Sequence, residues 1–238
     1  MRSTWINKIQ SNPKWRSQMR IIFLIAVDKN DQAVVNQMAK ESNYSNDILL
    51  LDLSDSYKMH TLKTIAAMEY FLKHCFNESF DAKNKIEPRK PIFIKITDDI
   101  ILFQRKLMEI LENLSSSISD RYVAGFIASG WNVQYATGSL YCISPKAVKE
   151  IYEYARCITD LPFFDDVLIG VLSQNLLNIS TISIPAYTHY EKLPSEIRNH
   201  AGILSQFCFL HDYKFYPTQQ INIWQQVENF LASREIIL

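Results

Sequence analysis

Glycine is scarce, with five in 238 residues, and none of them forms a GxGxxG or Walker pattern. Backbone cradles for phosphate need several glycines at fixed spacing, so this scarcity argues against dinucleotide-binding and P-loop chemistry. Cysteine is sparse too. Cys75, Cys142, Cys157 and Cys208 are widely scattered with no CxxC pair, which argues against a zinc site built on thiolates. Two disulfides in any of three connectivities are open to a lumenal protein, and buried free thiols are the alternative. Long apolar runs are missing. One of the longest, 21–27 (IIFLIAV), falls far short of the ~20 residues needed to cross a bilayer. Met1, Arg2, Ser3, Thr4 and Trp5 lead into polar sequence without the apolar region of a signal peptide, so a soluble chain is expected. Net charge is also lacking. Lys and Arg total 25 and so do Asp and Glu, which leaves no basic excess to attract nucleic acid. No GxSxG elbow is present, and no local Cys-His spacing suggests a nucleophile.

What is present is a folded, mixed chain. Apolar residues make up 47% and charged residues 21%, as in globular domains, and the length suits one substantial domain with a sizeable core. Segments 21–27 and 47–53 (DILLLDL) read as buried strands. Between them, 32–41 reads as a helix that packs Val34, Val35 and Met38 inward. Asp55 and Ser56 can cap an amphipathic helix over 58–74. A polar connector, 76–91, follows. Helices are expected over 104–114, 145–155 (Pro first), 167–177 and 221–232, and strands over 122–127 and 179–184. Residues 130–144 alternate glycine, tyrosine and small residues, like an irregular strand-loop beside a ligand. Strands alternating with helices, undivided by any linker or repeat, predict a single α/β domain.

The most informative stretch is 91–103, PIFIKITDDIILF. Apolar runs flank Lys95 and the adjacent carboxylates Asp98 and Asp99, as in a buried strand that turns and re-enters the core. Ionised neighbours repel and are costly to bury, so they belong at an edge or opposite a cation. The ends of strands in open α/β sheets are where ligands bind. Asp165 and Asp166 and the late histidines (His189, His200, His211) could complete an oxygen-rich site for Mg²⁺ or Mn²⁺. Four Asn-x-Ser sequons, at Asn43, Asn77, Asn113 and Asn178, are acceptors if the chain enters the secretory pathway.

Five blocks, in order, resemble the inverting β1,3-galactosyltransferase and β1,3-N-acetylglucosaminyltransferase family. Arg2, Ser3, Thr4 and Trp5 match R-x-T-W. Within 41–64, DILLLDLSDSYKMHTLKT matches D-I-L-x-x-D-x-x-D-S-Y-x-N-L-T-L-K-T and is the most specific block. Residues 95–99 (KITDD) stand against K-x-D-D-D, 135–144 (YATGSLYCIS) against Y-x-x-G-x-x-Y-x-x-S, and Phe164 to Val167 with Gly170 against E-D-V-x-x-G. His211 followed by Trp224 completes the series.

The resemblance covers nearly all of 1–238 as one domain. It implies a GT-A-like, Rossmann-type mixed sheet flanked by helices. It also implies a Mn²⁺ ion, a UDP-galactose or UDP-N-acetylglucosamine donor, a glycan acceptor on glycoprotein or glycolipid, and β1,3 transfer with inversion. The setting it implies is the lumenal side of the Golgi membrane. By position, Asp99 and His211 are the expected metal ligands and Asp166 the expected base. Asp98, Arg2 and Lys63 are expected beside the donor. Two residues depart from the family: Thr97 replaces the first Asp of D-D-D, and Asp165 replaces the Glu of E-D-V. The chain also starts at R-x-T-W, and the family's first strand, stem and membrane anchor are expected ahead of that motif. These departures leave an alternative expectation, a catalytically impaired homologue that binds a glycan or a protein.

Overall fold

The computed structural model describes residues 5–76, 91–116, 120–130, 132–188, 209–211, 222–227 and 229. Its centre is a four-stranded sheet ordered β3-β6-β5-β7, made of β3 (Phe93–Ile96), β6 (Val133–Ile143), β5 (Tyr122–Gly130) and β7 (Ser180–Ser183). β6 runs antiparallel to both β3 and β5, and β7 joins β5 in parallel. Successive side chains of a strand point to opposite faces, and this sheet buries both. Tyr122, Ala124, Leu140 and Cys142 enter one core, while Val123, Tyr141 and Ile143 enter the other.

The first core is closed by α1 (Trp5–Ser11), β4 (Ile100–Leu102), α5 (Gln104–Ser115) and the helical turns 222–227. β4 pairs with β9 (Phe209–His211), which in turn pairs in parallel with β8 (Ala186–Thr188). Trp224 is buried here and its indole N–H donates to Gln104 Oε1 at 3.3 Å. The second core is closed by α4 (His60–His74), α6 (Pro145–Ala155) and α7 (Asp165–Gly170). α6 shows why such a segment is helical. Pro145 sits in the first turn, where its missing N–H costs nothing, and Ala147, Val148, Ile151 and Ala155 form one buried stripe.

The predicted strand that turns and re-enters the core is found as β3, a turn at Asp98 and Asp99, and β4. Several expectations change. The strands at 21–27 and 47–53 are a separate parallel pair, β1 (Phe23–Ala26) and β2 (Ile48–Leu51), and are mostly half-buried. The helix beside them, α3 (Gln32–Ser45), buries no residue, and Val34 is 39% exposed. A two-stranded ribbon is too narrow a platform to cover a helix face. After α2 (Pro13–Arg16), β1, α3 and β2 thus form a little-buried layer.

Neither Asp55 nor Ser56 caps α4, which starts at His60 after a single 3₁₀ turn and has no side-chain cap. The irregular strand-loop expected over 130–144 is mostly one eleven-residue strand, β6. One irregularity survives there. Gly125 faces Tyr141 but Ile127 faces Ala136, so β6 spends extra residues between these pairs. The helix expected from 167 begins at Asp165 and continues as a π turn over Val171–Leu176. Most of the connector 76–91 lies outside the described residues, as do His189, His200 and Cys208. Cys75, Cys142 and Cys157 are free thiols, so no disulfide joins the described cysteines.

α7 lies close against β6 because Gly170 has no side chain. A Cβ there would sit 2.6 Å from Tyr135 Cβ and 3.0 Å from the Gln134 carbonyl oxygen, neither of which can swing aside. Gly170→Ala is therefore expected to cost about 1–3 kcal/mol, as overpacked sites do. Urea-denaturation midpoints measure this, and an unchanged midpoint would contradict the packing described.

Candidate active site

The site is built around a buried carboxylate. Asp165 opens α7 and is 6% exposed. Its Oδ2 accepts from Thr64 Oγ1 of α4 at 2.8 Å and from Tyr141 Oη of β6 at 2.7 Å. Lys95 of β3 stands 3.7 Å from the same oxygen. A buried ion survives only where its lone pairs and charge are met, and here three elements meet them. Burial and the Asp165 carboxylate hold the Tyr141 hydroxyl well above its ordinary value near 10, so it remains a donor.

Asp166 is held differently. Its Oδ1 accepts from the Val167 N–H and its Oδ2 from the Gly138 N–H, both at 2.8 Å. The second bond depends on the irregular part of β6, where residue 138 leaves the ladder with β5. Burial raises the Asp166 carboxyl above its ordinary 3.8, and the charge of Asp165 adds to this. The two backbone N–H groups and Lys95 pull the other way. The remaining effect is upward, as expected of a carboxylate poised to take a proton.

The carboxylates after β3 lie beside this group. Thr97 N–H donates to the Ser139 carbonyl at 3.0 Å, and its hydroxyl lies 3.3 Å from the same oxygen. The turn at Asp98 and Asp99 is therefore next to the segment that holds Asp166. Asp98 is exposed and Asp99 half-buried. In β9, His211 is in register with Ile100, the residue after Asp99, which brings the backbones of the two expected metal positions together. Among the described residues, no cluster of three or more His, Cys, Asp or Glu side chains forms a metal cage. A carboxylate such as Asp99 is the ligand type that a hard divalent cation takes, and the side chain of His211 lies outside the described residues.

Lys63 of α4 is bound to Asp55 at 2.5 Å. One turn earlier, His60 lies among Lys95, Lys63, Asp165 and Asp55, and burial and the two lysines hold its imidazole below 6.5. Lys63 is thus on the side of the site from which α4 approaches. Arg2 lies outside the described residues. Thr64, Tyr141, Lys95 and His60 had been given no role from sequence. A signal existed for Lys95, a lone cation within an apolar strand, which needs a partner. Thr64 and Tyr141 stood inside the matched blocks but resemble ordinary core residues there.

Fold and site together define a GT-A-like α/β domain with carboxylates at a strand end. A family model described as Galactosyltransferase matches residues 1–133. The chain is 22% identical over 180 residues to "Beta-1,3-galactosyltransferase bre-2" of Caenorhabditis elegans, covering 66% of this chain and 46% of that protein. It is 24% identical over 232 residues to "Beta-1,3-galactosyltransferase 1" of Mus musculus, covering 89% and 65%. It is 23% identical over 248 residues to "UDP-GalNAc:beta-1,3-N-acetylgalactosaminyltransferase 1" of Rattus norvegicus, covering 94% and 68%. The chain belongs to the galactosyltransferase family. It spans about half to two thirds of the length of these relatives.

The raised Asp166 carboxyl has a consequence for stability. Well above its folded midpoint, Asp166 is ionised in both the folded and unfolded chain. As pH falls through that midpoint towards 3.8, the folded chain takes up the proton first, so this group adds stability as pH drops. Stability of the wild type relative to Asp166→Asn is expected to rise between about pH 7 and about pH 4. Urea midpoints of the two proteins at both pH values check the sign.

Proposed function

We propose that this protein transfers galactose or N-acetylglucosamine from a UDP-sugar to a hydroxyl of a glycan acceptor, with inversion and a β1,3 linkage. The observation that carries the reading is Asp166, a carboxylate with raised proton affinity fixed by two backbone N–H groups beside the strand-end acids. Asp166 accepts the acceptor hydroxyl proton as the oxygen attacks the anomeric carbon. The bond to UDP breaks on the opposite face, and this single displacement inverts the centre. Asp99 and His211 would hold a Mn²⁺ ion, which when bound neutralises charge on the UDP diphosphate. Lys63, Arg2 and Asp98 face the donor in this reading. The acceptor is a glycoprotein or glycolipid glycan on the lumenal side of Golgi membranes, an assignment supported by family membership. No helix among the described residues is long and apolar enough to cross a membrane.

One observation favours a second reading, a catalytically impaired homologue that binds a glycan or protein. Where the family carries a carboxylate, Thr97 places a hydroxyl within reach of the Ser139 carbonyl, so a charged contact to the donor is replaced by a neutral one. Calorimetry with UDP and Mn²⁺ separates the two, because metal-dependent UDP binding belongs to the enzyme. In a transfer assay with Mn²⁺, Asp166→Asn is expected to lower kcat by about 10²–10⁴-fold, the usual contribution of a general base, with UDP binding retained. Asp99→Ala is expected to lose metal-dependent UDP binding. Full activity in both variants would refute the assignment.

A further inference from the structure

Lys95 is the only charged residue of β3, whose sequence is FIKI. It lies opposite Tyr141 on β6 and shares the face of the sheet covered by α4, α6 and α7. Its ammonium donates to the Gly138 carbonyl, lies 3.7 Å from Asp165 Oδ2 and sits 5.6 Å from the centre of the Tyr141 ring. The N–H of the same residue 138 donates to Asp166 Oδ2 at 2.8 Å. Residue 138 is therefore gripped at both ends, by Lys95 on its carbonyl and by Asp166 on its amide. Its lack of a side chain eases the approach of Asp166. A Cβ there would lie 3.3 Å from Asp166 Oδ2 and 3.5 Å from Lys95 Nζ.

We propose that Lys95 is a positioning residue for Asp166, clamping residue 138 so that its N–H fixes the Asp166 carboxylate while the ammonium offsets the charge of Asp165. The inference rests on the reading of Asp166 as the base. The groups facing this carboxylate come from every neighbouring element. Asp165 shares α7, Lys95 comes from β3, and Tyr135 and Tyr141 come from β6. His60 of α4 faces Lys95 and Asp165. Burial and the nearby carboxylates push both tyrosines up, and burial and Lys95 push His60 down, so these three stay neutral around pH 7. Asp165 and Lys95 are then the opposed charges, the first raising the proton affinity of Asp166 and the second lowering it. A lysine that served only as counter-ion to Asp165 would still lower the Asp166 midpoint through its charge. It would leave the Gly138 N–H bond to Asp166 in place, so the clamp is read from the Gly138 amide signal together with the midpoint.

The test follows Asp166 itself. In the whole chain labelled with ¹³C at aspartate carboxyls, its signal is assigned by its loss in Asp166→Asn. In Lys95→Met the Asp166 midpoint is expected to rise by about one pH unit, the lower end of the ~1–3 units an adjacent opposite charge supplies. Lys95→Arg, which keeps the charge, should leave the midpoint near that of the wild type. In folded Lys95→Met the ¹H–¹⁵N signal of the Gly138 amide is expected to move as its bond to Asp166 loosens, and an unmoved amide or an unmoved midpoint overturns the proposal.

Removing Lys95 alone strands the buried Asp165 charge and can prevent folding. The same comparison is then made between Asp165→Asn and Lys95→Met/Asp165→Asn. Here too a rise of about one unit with the Gly138 amide displaced supports the clamp, and an unmoved amide or an unmoved midpoint overturns it. In transfer assays, Lys95→Met should lower kcat by about 10²-fold, the usual result of a misplaced catalytic group, with donor KM little changed. The acid limb of its kcat profile should move up with the NMR midpoint. If Asp166→Asn retains full transfer while the NMR shift is present, the base assignment fails and the clamp stands. If Asp166→Asn is inactive and the shift is absent, the clamp fails and the base assignment stands.

Discussion

Burial of the Asp165 carboxylate is the constraint on which the site depends. An ion taken out of water costs several kcal/mol unless its charge and lone pairs are answered. Thr64, Tyr141 and Lys95 answer them from α4, β6 and β3, elements separated by tens of residues in the chain. These contacts fix how α7 meets the sheet. Asp166 points elsewhere and accepts from two backbone N–H groups, those of Gly138 and Val167. Two adjacent acids thus reach opposite conditions. The first has side chains from three elements on its Oδ2, and the second is partly desolvated, near a like charge and raised in proton affinity.

The second constraint is the register of β6. A regular antiparallel ladder would commit the N–H and C=O of residue 138 to neighbouring strands. The shift between the Gly125 and Ile127 pairs releases that stretch, and its polar groups turn to Lys95 and Asp166 instead. Irregularities of this kind recur beside active sites because they re-aim backbone groups without unravelling the sheet. Gly170 then lets a helix approach β6 more closely than a side chain would permit, and Gly138 leaves room beside Asp166 and Lys95. Two of the five glycines in the chain serve this one wall of the site.

Much of the architecture was legible in the sequence. Apolar runs located β3, β4 and β5, while Pro145 and the stripe after it located α6 to the residue. Capping was misread at Asp55, because a single 3₁₀ turn before α4 leaves that carboxylate to pair with Lys63. Burial was misread at α3, because inward packing needs a platform and the β1–β2 ribbon is a narrow one. The glycine and tyrosine pattern at 130–144 suggests an irregular strand-loop. Only the strands on either side reveal a long strand with one shifted register.

The sequence by itself determined the elements, the family and the carboxylates that matter, because apolar periodicity and motif order are local properties of the chain. It placed Asp98, Asp99, Asp165 and Asp166 on the map, with roles for Asp98, Asp99 and Asp166 that came from the family resemblance and not from their surroundings. Tertiary structure decided which acid is buried and satisfied and which is left poised, since desolvation and hydrogen bonding depend on neighbours brought from distant segments. It also gave Lys95, Thr64 and Tyr141 their places, for the same reason. A side chain's partner across a sheet is set by register, and register is not written in any one strand.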